Sequence, residues 1–224
     1  MSGNISYFQF DRFLVAKKPD FLHQLASFYC NVWRFDPNFA EYKKCPNCER
    51  YYSYNFVEVE KNTTCPDCQV SLVEAWVEKE VEETILTLTS LDKDFFGAVA
   101  FDNIQSKIIG FVWGFNESLS KVKDSTVLAA VQNKSGFVPY FNEIATDPAY
   151  RKNGIGSQLC RMLVEWMQKK SPATPGYLHT HENSPARRLF EKAGYTFLCY
   201  DEKLGGGRIF MSIGKCADFT PEKL

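Results

Sequence analysis

The sequence lacks an excess of charge of either sign, a long apolar run, an internal repeat and a low-complexity tract. Its 26 Lys+Arg are offset by 27 Asp+Glu, for a formal net charge of −1. No global positive field therefore draws the chain to nucleic acid or to anionic lipid. No apolar run approaches the ~18 residues that a membrane-spanning helix needs. The first residues show no basic segment followed by an apolar stretch and a small-residue cleavage site, so a secretory signal is not expected. These absences lead to the expectation of a soluble, cytoplasmic protein. What the chain does have is core material: 45% of its 224 residues are hydrophobic and 15% aromatic. Disorder is thereby excluded, and one domain with a small insert is the expected organisation.

Eight cysteines would suit disulfides in a secreted chain, yet their spacing points elsewhere. Four form two pairs, Cys45 with Cys48 and Cys65 with Cys68, each with Pro after the first Cys, and sixteen residues separate the pairs. Two-residue spacing lets a tight turn aim two thiolates at one ion, and two such turns complete a tetrahedral S₄ set suited to Zn²⁺. The stretch between, Tyr51 to Glu60, is aromatic and β-branched with partial alternation, so it reads as a strand. Knuckle, strand and knuckle together resemble a zinc ribbon. A closed Cys₄ set leaves no open position for water, which makes such a metal structural rather than catalytic. Tyr51, Tyr52 and Tyr54 are suited to stacking on bases. Between Glu41 and Cys68, however, four basic side chains face five acidic ones, which argues against nucleic acid as a partner. Cys30, Cys160, Cys199 and Cys216 sit among apolar residues and read as small core residues.

Along the chain, Tyr7 to Val15 reads as a strand. A helix opens at Pro19, with Phe21, Leu22, Leu25, Phe28, Tyr29, Val32 and Trp33 on one face. After the cysteine pairs, Val77, Val81, Ile85 and Leu88 step like a second helix. Phe95 to Phe101 and Lys107 to Trp113 form a hairpin pattern. Leu119 to Gly136 is polar and ambiguous. Phe137 to Thr146 is a strand that Asp147-Pro148 stops. Gly154 to Lys170 is the clearest helix. It is followed by a strand from Tyr177 to His181 and a helix from Ser184 to Ala193 closed by Gly194. Strands Thr196 to Tyr200 and Arg208 to Ile213 flank a Gly205-Gly206-Gly207 turn. The order predicts an α/β (α+β) fold with one central mixed sheet flanked by helices.

The link from Asp147 to Ser157 joins a strand to the best helix. Glycines at a helix start let backbone N–H groups approach an anion closely, and the helix dipole favours negative charge there. Arg151 and Lys152 add positive charge beside Gly154 and Gly156. Physically this is a phosphate cradle. It is not a P-loop, since no Gly-Lys-Ser/Thr follows, and the dinucleotide fingerprint fails because Leu159 stands where a third glycine belongs.

The run from Asn142 to Pro148, continued by Arg151-x-x-Gly154-x-Gly156, resembles the acetyl-CoA motif of the GNAT superfamily of N-acetyltransferases. Asn183 to Tyr195 is similar to that family's second signature, an Asn-led helix ending in Gly-aromatic. The resemblance covers most of the chain outside the cysteine pairs. It implies a GNAT-like domain over residues 1–40 and 71–224, with a zinc-ribbon insert over 41–70. It further implies that the backbone of Arg151, Lys152, Asn153, Gly154, Ile155, Gly156 and Ser157 holds the CoA pyrophosphate. Ile144, Ala145 and Thr146 would bond the pantetheine arm, with Asn183 at its end. Phe190 stands where many members carry a thiolate-protonating Tyr, for which Tyr195 or Tyr200 are the substitutes to consider. Glu143 matches the acidic residue that many members use to deprotonate the amine. His179 and His181 share a face of the next strand, and His181, nearer its end, is a second candidate base. His23 reads as a surface residue.

The implied cosubstrate is acetyl-CoA, the implied metal is structural Zn²⁺, and the implied partner is an amine-bearing small molecule or peptide. GNATs often pair, which leaves a homodimer open. In this fold the acceptor cleft lies at the loop between the first two helices, so an insert there is expected to border the acceptor site. The alternative is an acyl-CoA-binding module with weak catalysis, its ribbon docking a protein or nucleic-acid partner.

Overall fold

A computed structural model of the chain describes residues 4–35, 41–91, 94–203 and 207–216. Gly205 and Gly206 of the expected glycine turn lie outside the described residues. Seven strands form the main sheet in the order β1-β5-β6-β7-β8-β10-β9. They are β1 (Ile5–Phe10), β5 (Phe95–Asp102), β6 (Lys107–Ser118), β7 (Phe137–Thr146), β8 (Gly176–His181), β9 (Thr196–Tyr200) and β10 (Arg208–Ile213). All neighbouring pairs are antiparallel except β7 with β8, which run parallel.

Helices cover both faces, which is why β5 and β6 are nearly continuous apolar runs. On one face α2 (Pro19–Arg34) and α3 (Glu78–Thr89) bury Leu25, Tyr29 and Ile85 against Val99, Phe111 and Trp113. On the other, α5 (Ile155–Lys170) and α6 (Pro185–Lys192) pack Leu159, Leu163 and Met167 against Ala98, Ile109, Val112 and Leu178. Burying a Leu or Met side chain in this way is worth about 1.5–3 kcal/mol.

Several expectations are corrected. The first strand ends at Phe10, not Val15, because the Asp11 carboxylate accepts from Leu14 N at 2.9 Å and caps a short helix, α1 (Arg12–Lys17). The ambiguous stretch 119–136 contains α4 (Ser125–Val131), capped by Asp124 accepting from Val127 N at 2.9 Å. Its Val127 and Val131 are buried against Val138 and Tyr177. The expected strand from Tyr51 to Glu60 pairs only at β3 (Tyr51–Tyr52), after which Asn55–Val59 winds into one π-helical turn. The second knuckle must fold back beside the first, and Val57 and Tyr52 supply the few apolar contacts that enclose the thiols. β3 joins β2 (Lys43–Lys44) and β4 (Val73–Glu74) in a small sheet of order β3-β2-β4. Among the four remaining cysteines, Cys30, Cys160 and Cys216 are buried and Cys199 is half-buried.

Two irregularities position the site. β7 pairs with β8 only at Tyr140 with Tyr177 and Phe141 with Leu178, after which the strands part. On its other side β7 carries a bulge: Gly114 faces Phe141 while Trp113 faces Glu143, leaving Asn142 as the extra residue. A bulge bends its strand and raises its twist. The Asn142 side-chain oxygen Oδ1 anchors it by accepting from Trp113 Nε1 at 2.9 Å.

A Cβ at Gly114 would stand 2.6 Å from the Tyr140 carbonyl oxygen and 3.0 Å from Leu163 Cδ1. Backbone cannot yield as a side chain does. Gly114→Ala is expected to cost roughly 1–3 kcal/mol, read as a lowered midpoint in chemical denaturation.

Candidate active site and cysteine cluster

Where β7 and β8 part, a groove of about 640 Å³ opens. Its walls are Val32 and Trp33 of α2, Ile144, Ala145 and Thr146 of β7, residues 150–152 and 154–157 of the loop and start of α5, and residues 184–186 with Leu189. Gly154 caps α5 with φ +78°, a left-handed conformation that side chains strain to adopt. By position, the first-turn N–H groups of α5 have no partner inside the helix. The loop is held from below. The Tyr150 hydroxyl donates to Asp102 at 2.6 Å, and Lys107 Nζ donates to Asp147 at 3.2 Å. Hydrogen bonds from Tyr150 and two backbone N–H groups hold the Asp102 carboxyl below its usual range. Arg151 Nε donates to the Thr146 carbonyl at 3.2 Å, which keeps the guanidinium beside the groove. A Cβ at Gly156 would meet Thr146 Oγ1 at 3.6 Å and Leu189 Cδ2 at 3.8 Å, ordinary contacts with two residues of the groove wall, so a larger side chain there would take up groove space. The residues present therefore suit a diphosphate followed by an extended arm.

A smaller cavity of about 150 Å³ adjoins the groove. Trp33, Ile144, Ser184 and Ala186 line both. The smaller one holds Glu143, Tyr140, His179, His181, Glu41 and Arg208. The Tyr29 hydroxyl donates to Glu143 Oε1 at 3.3 Å. Burial, and then the neighbouring Glu41 carboxylate, push the Glu143 carboxyl up to about 8, against the opposing effects of the Tyr29 hydrogen bond and Arg208. Arg208 Nη2 pairs with Glu41 Oε1 at 2.7 Å. His179 Nε2 lies 3.1 Å from Asp201 Oδ2, yet burial dominates and lowers the imidazole from its ordinary value. His181 Nδ1 accepts from Asn183 N at 3.0 Å, which places the neutral ring's proton on Nε2. A partly buried carboxyl with a raised pKa, beside a groove that suits a thioester cosubstrate, is equipped to take a proton from an incoming amine.

Of the residues singled out from the sequence, Ile144, Ala145, Thr146, Arg151, Lys152, Gly154, Ile155, Gly156 and Ser157 line the groove, and Glu143 and His181 the smaller cavity. Asn153 turns back instead, its amide donating to the Tyr150 carbonyl at 3.2 Å. Asn183 lines a depression with Arg187 and Arg188 that adjoins the groove, sharing Ser184 and Pro185 with it. Phe190 reaches the smaller cavity but is 4% exposed and packs edge-on against Phe141. Tyr195 and Tyr200 do not replace the missing hydroxyl. Tyr195 is core-buried with its hydroxyl on Met167 Sδ at 3.5 Å, and Tyr200 donates outward to Glu182 at 3.0 Å. His23 is a surface residue beside Glu82. Sequence reasoning missed Tyr29, Trp33, Glu41 and Arg208. Tyr29 and Trp33 showed only as members of an apolar helix face, and nothing local couples Glu41 to Arg208.

The four cysteines of the two pairs converge, with all Sγ atoms within 4.8 Å of one another and Cys48 Sγ 3.8 Å from Cys65 Sγ. A tetrahedral Zn–S₄ set with bonds of ~2.3 Å has edges of about 3.8 Å, so the donor set fits. The two knuckles repeat one geometry. Cys48 N donates to Cys45 Sγ and Cys68 N to Cys65 Sγ, both at 3.4 Å, and the next residues, Glu49 and Gln69, take φ of +59° and +56°. An Arg50–Asp67 ion pair links the knuckles.

A family model described as the acetyltransferase (GNAT) family matches residues 62–195. No curated protein sequence matches the chain. The solved structure of Arabidopsis thaliana NAA60 in complex with acetyl-CoA is similar, with a TM-score of 0.56 and 15% identity over 93% of this chain and 97% of that one. The ribosomal-protein-S5-alanine acetyltransferase from Vibrio fischeri aligns with a TM-score of 0.54 and 14% identity, over 99% of this chain and 98% of its own. At such identities the likeness is one of fold. Among the described residues, no helix is long and apolar enough to cross a membrane.

Proposed function

The chain belongs to the acetyltransferase (GNAT) family, and from that premise we propose that it transfers acetyl from acetyl-CoA directly to an amine of a small molecule or peptide, with Glu143 as general base. The observation that carries this reading is the position of Glu143: it lies in the small cavity, next to Ile144, where that cavity joins the groove. Acetyl-CoA, when bound, supplies an acyl thioester as the electrophile. The first-turn N–H groups of α5 and the Arg151 guanidinium hold the diphosphate. The unpaired edge of β7 beyond Phe141 offers backbone N–H groups to the arm and to the thioester carbonyl, where negative charge builds.

Glu143 takes the proton of the incoming ammonium, directly or through one water; the freed nitrogen lone pair forms the new C–N bond, the C–S bond breaks, and the second proton shed by the nitrogen passes through solvent to the departing thiolate. His181, the second candidate base, lines the same cavity with its Nδ1 engaged by the Asn183 N–H. Phe190 supplies no acid. A thiol with a pKa of ~8.5 leaves without one. Phe190 alone favours the alternative of a non-catalytic acyl-CoA-binding module, whereas the Glu143–Tyr29 pair beside the groove supports turnover.

Cys45, Cys48, Cys65 and Cys68 would hold Zn²⁺ as a structural ion that contributes folding free energy to their unit. Because β4 pairs with β2 in the small sheet, residues 71–74 join the proposed 41–70 insert as one unit, Glu41 to Glu74. Thiolate ligation requires a reducing compartment, which supports a cytoplasmic location.

Glu143→Gln is expected to lower kcat/KM for the acceptor by about 10²–10⁴-fold while acetyl-CoA affinity by calorimetry stays. A base works only when deprotonated, so wild-type kcat/KM should rise with pH and level off above about 8. An amine panel with acetyl-CoA, read as free thiol, tests both statements, and full activity of Glu143→Gln would overturn the assignment. Gly156→Val should abolish acetyl-CoA binding with an unchanged circular dichroism spectrum. Gly154 is the poorer site for that test, since its positive φ strains any replacement. Chelation should expose residues 41–74 to protease before the rest of the chain, whereas equal resistance with and without chelator would count against the ion.

A further inference from the structure

Two separate routes run from the Cys₄ unit into the small cavity. In the first, Glu41, at the start of the unit, has its side chain 12% exposed and paired with Arg208 of β10. Its backbone N donates to the Trp33 carbonyl at 2.8 Å, tying the start of the unit to the end of α2. In the second, Tyr51 of β3 stacks on Trp76, with centroids 5.8 Å apart and planes at 15°. Trp76 meets Tyr29 edge-on at 5.1 Å, and the Tyr29 hydroxyl donates to Glu143. Arg34 clamps the same seam, donating to the Trp76 carbonyl at 3.0 Å and lying 3.5 Å from Glu74.

We propose that the Cys₄ unit tunes the acceptor-side carboxyl: Glu41 directly, and Tyr51 through the edge-on contact of Trp76 with Tyr29, are positioning residues for Glu143. The inference rests on the reading of Glu143 as the base, but its test does not.

The groups that face Glu143 come from five elements and the start of the Cys₄ unit. They are Tyr29 of α2, Glu41 and Tyr51 of the unit, Tyr140 of β7 itself, His179 and His181 of β8, and Arg208 of β10. Two of them lie on the routes from the unit and act on the carboxyl with opposite sign, Arg208 acting in the same direction as Tyr29. The Glu41 carboxylate disfavours a second negative charge beside it, while the Tyr29 hydroxyl stabilises that charge by donating to it. The two routes thus predict opposite shifts, which a merely structural role for the unit would not produce.

The test is a carboxyl ¹³C NMR titration of the full chain labelled at glutamate, with the Glu143 signal identified by its absence in Glu143→Gln. Glu41→Gln should move the Glu143 midpoint down, and Tyr29→Phe should move it up, each by about half a pH unit or more. Tyr51→Leu should move it up as well, by releasing the Trp76 ring whose edge-on contact helps to set Tyr29. Tyr51→Phe, which keeps the ring, should restore the wild-type midpoint. Acetyl-CoA affinity should stay within about twofold in all four, because none of these side chains lines the cofactor groove. A midpoint unmoved in Glu41→Gln, or unmoved in Tyr51→Leu, would overturn the corresponding route even where Tyr51→Leu loosens the unit. Because the midpoint is measured without an acceptor, loss of the tuning is distinguished from failure of Glu143 as base, which the turnover of Glu143→Gln reads.

Discussion

Two residue pairs hold β7 to β8, and the rest of the site depends on the pairing stopping there. Backbone N–H and C=O groups that leave a sheet ladder need other partners. Past Phe141 the inner edge of β7 loses its strand neighbour, and the gap becomes a groove rather than packed core. The bulge at Asn142, anchored on Trp113, bends β7 at the same point. One strand irregularity therefore opens a slot of suitable length, leaves a peptide edge facing it, and sets the start of α5 at its far end.

The electrostatics follow from the same geometry. Glu143 sits where the ladder ends, so its carboxyl is enclosed by protein yet open to a small cavity. Burial raises its pKa, and the balance between Glu41, Arg208 and Tyr29 decides how far. His179, although beside Asp201, is governed by burial too. The cavity therefore suits a group that arrives charged, surrenders a proton and leaves neutral. This part of the site draws on α2, β7, β8, β10 and the Cys₄ unit, which lie far apart in the chain.

How much was legible before the fold was known can be argued residue by residue. Phe137 to Thr146 ended where Asp147-Pro148 required, and the buried face of α5 showed as Ile155, Leu159, Leu163 and Met167, because hydrophobic period and local breakers act over a few residues. The cradle glycines and the two Cys-x-x-Cys pairs were visible for the same reason. Local hydrogen bonding misled where a short side chain competed with the strand, as Asp11 did by capping α1. The hydroxyls Tyr195 and Tyr200 were plausible by sequence position, but one points to Met167 in the core and the other to Glu182 at the surface. Side-chain direction is a tertiary property, and neither residue could be placed without it.

By itself the sequence determined the α/β architecture, the family, the glycine cradle and the four thiols, since each is written as a short pattern whose physics is local. Only the tertiary structure decided that Tyr29, Glu41 and Arg208 surround Glu143, that Asn183 lines a depression adjoining the groove, and that Tyr51 leans on Trp76. Those contacts join segments as much as 167 residues apart. They are set by how helices pack across a twisted, parted sheet, and no local pattern encodes that packing.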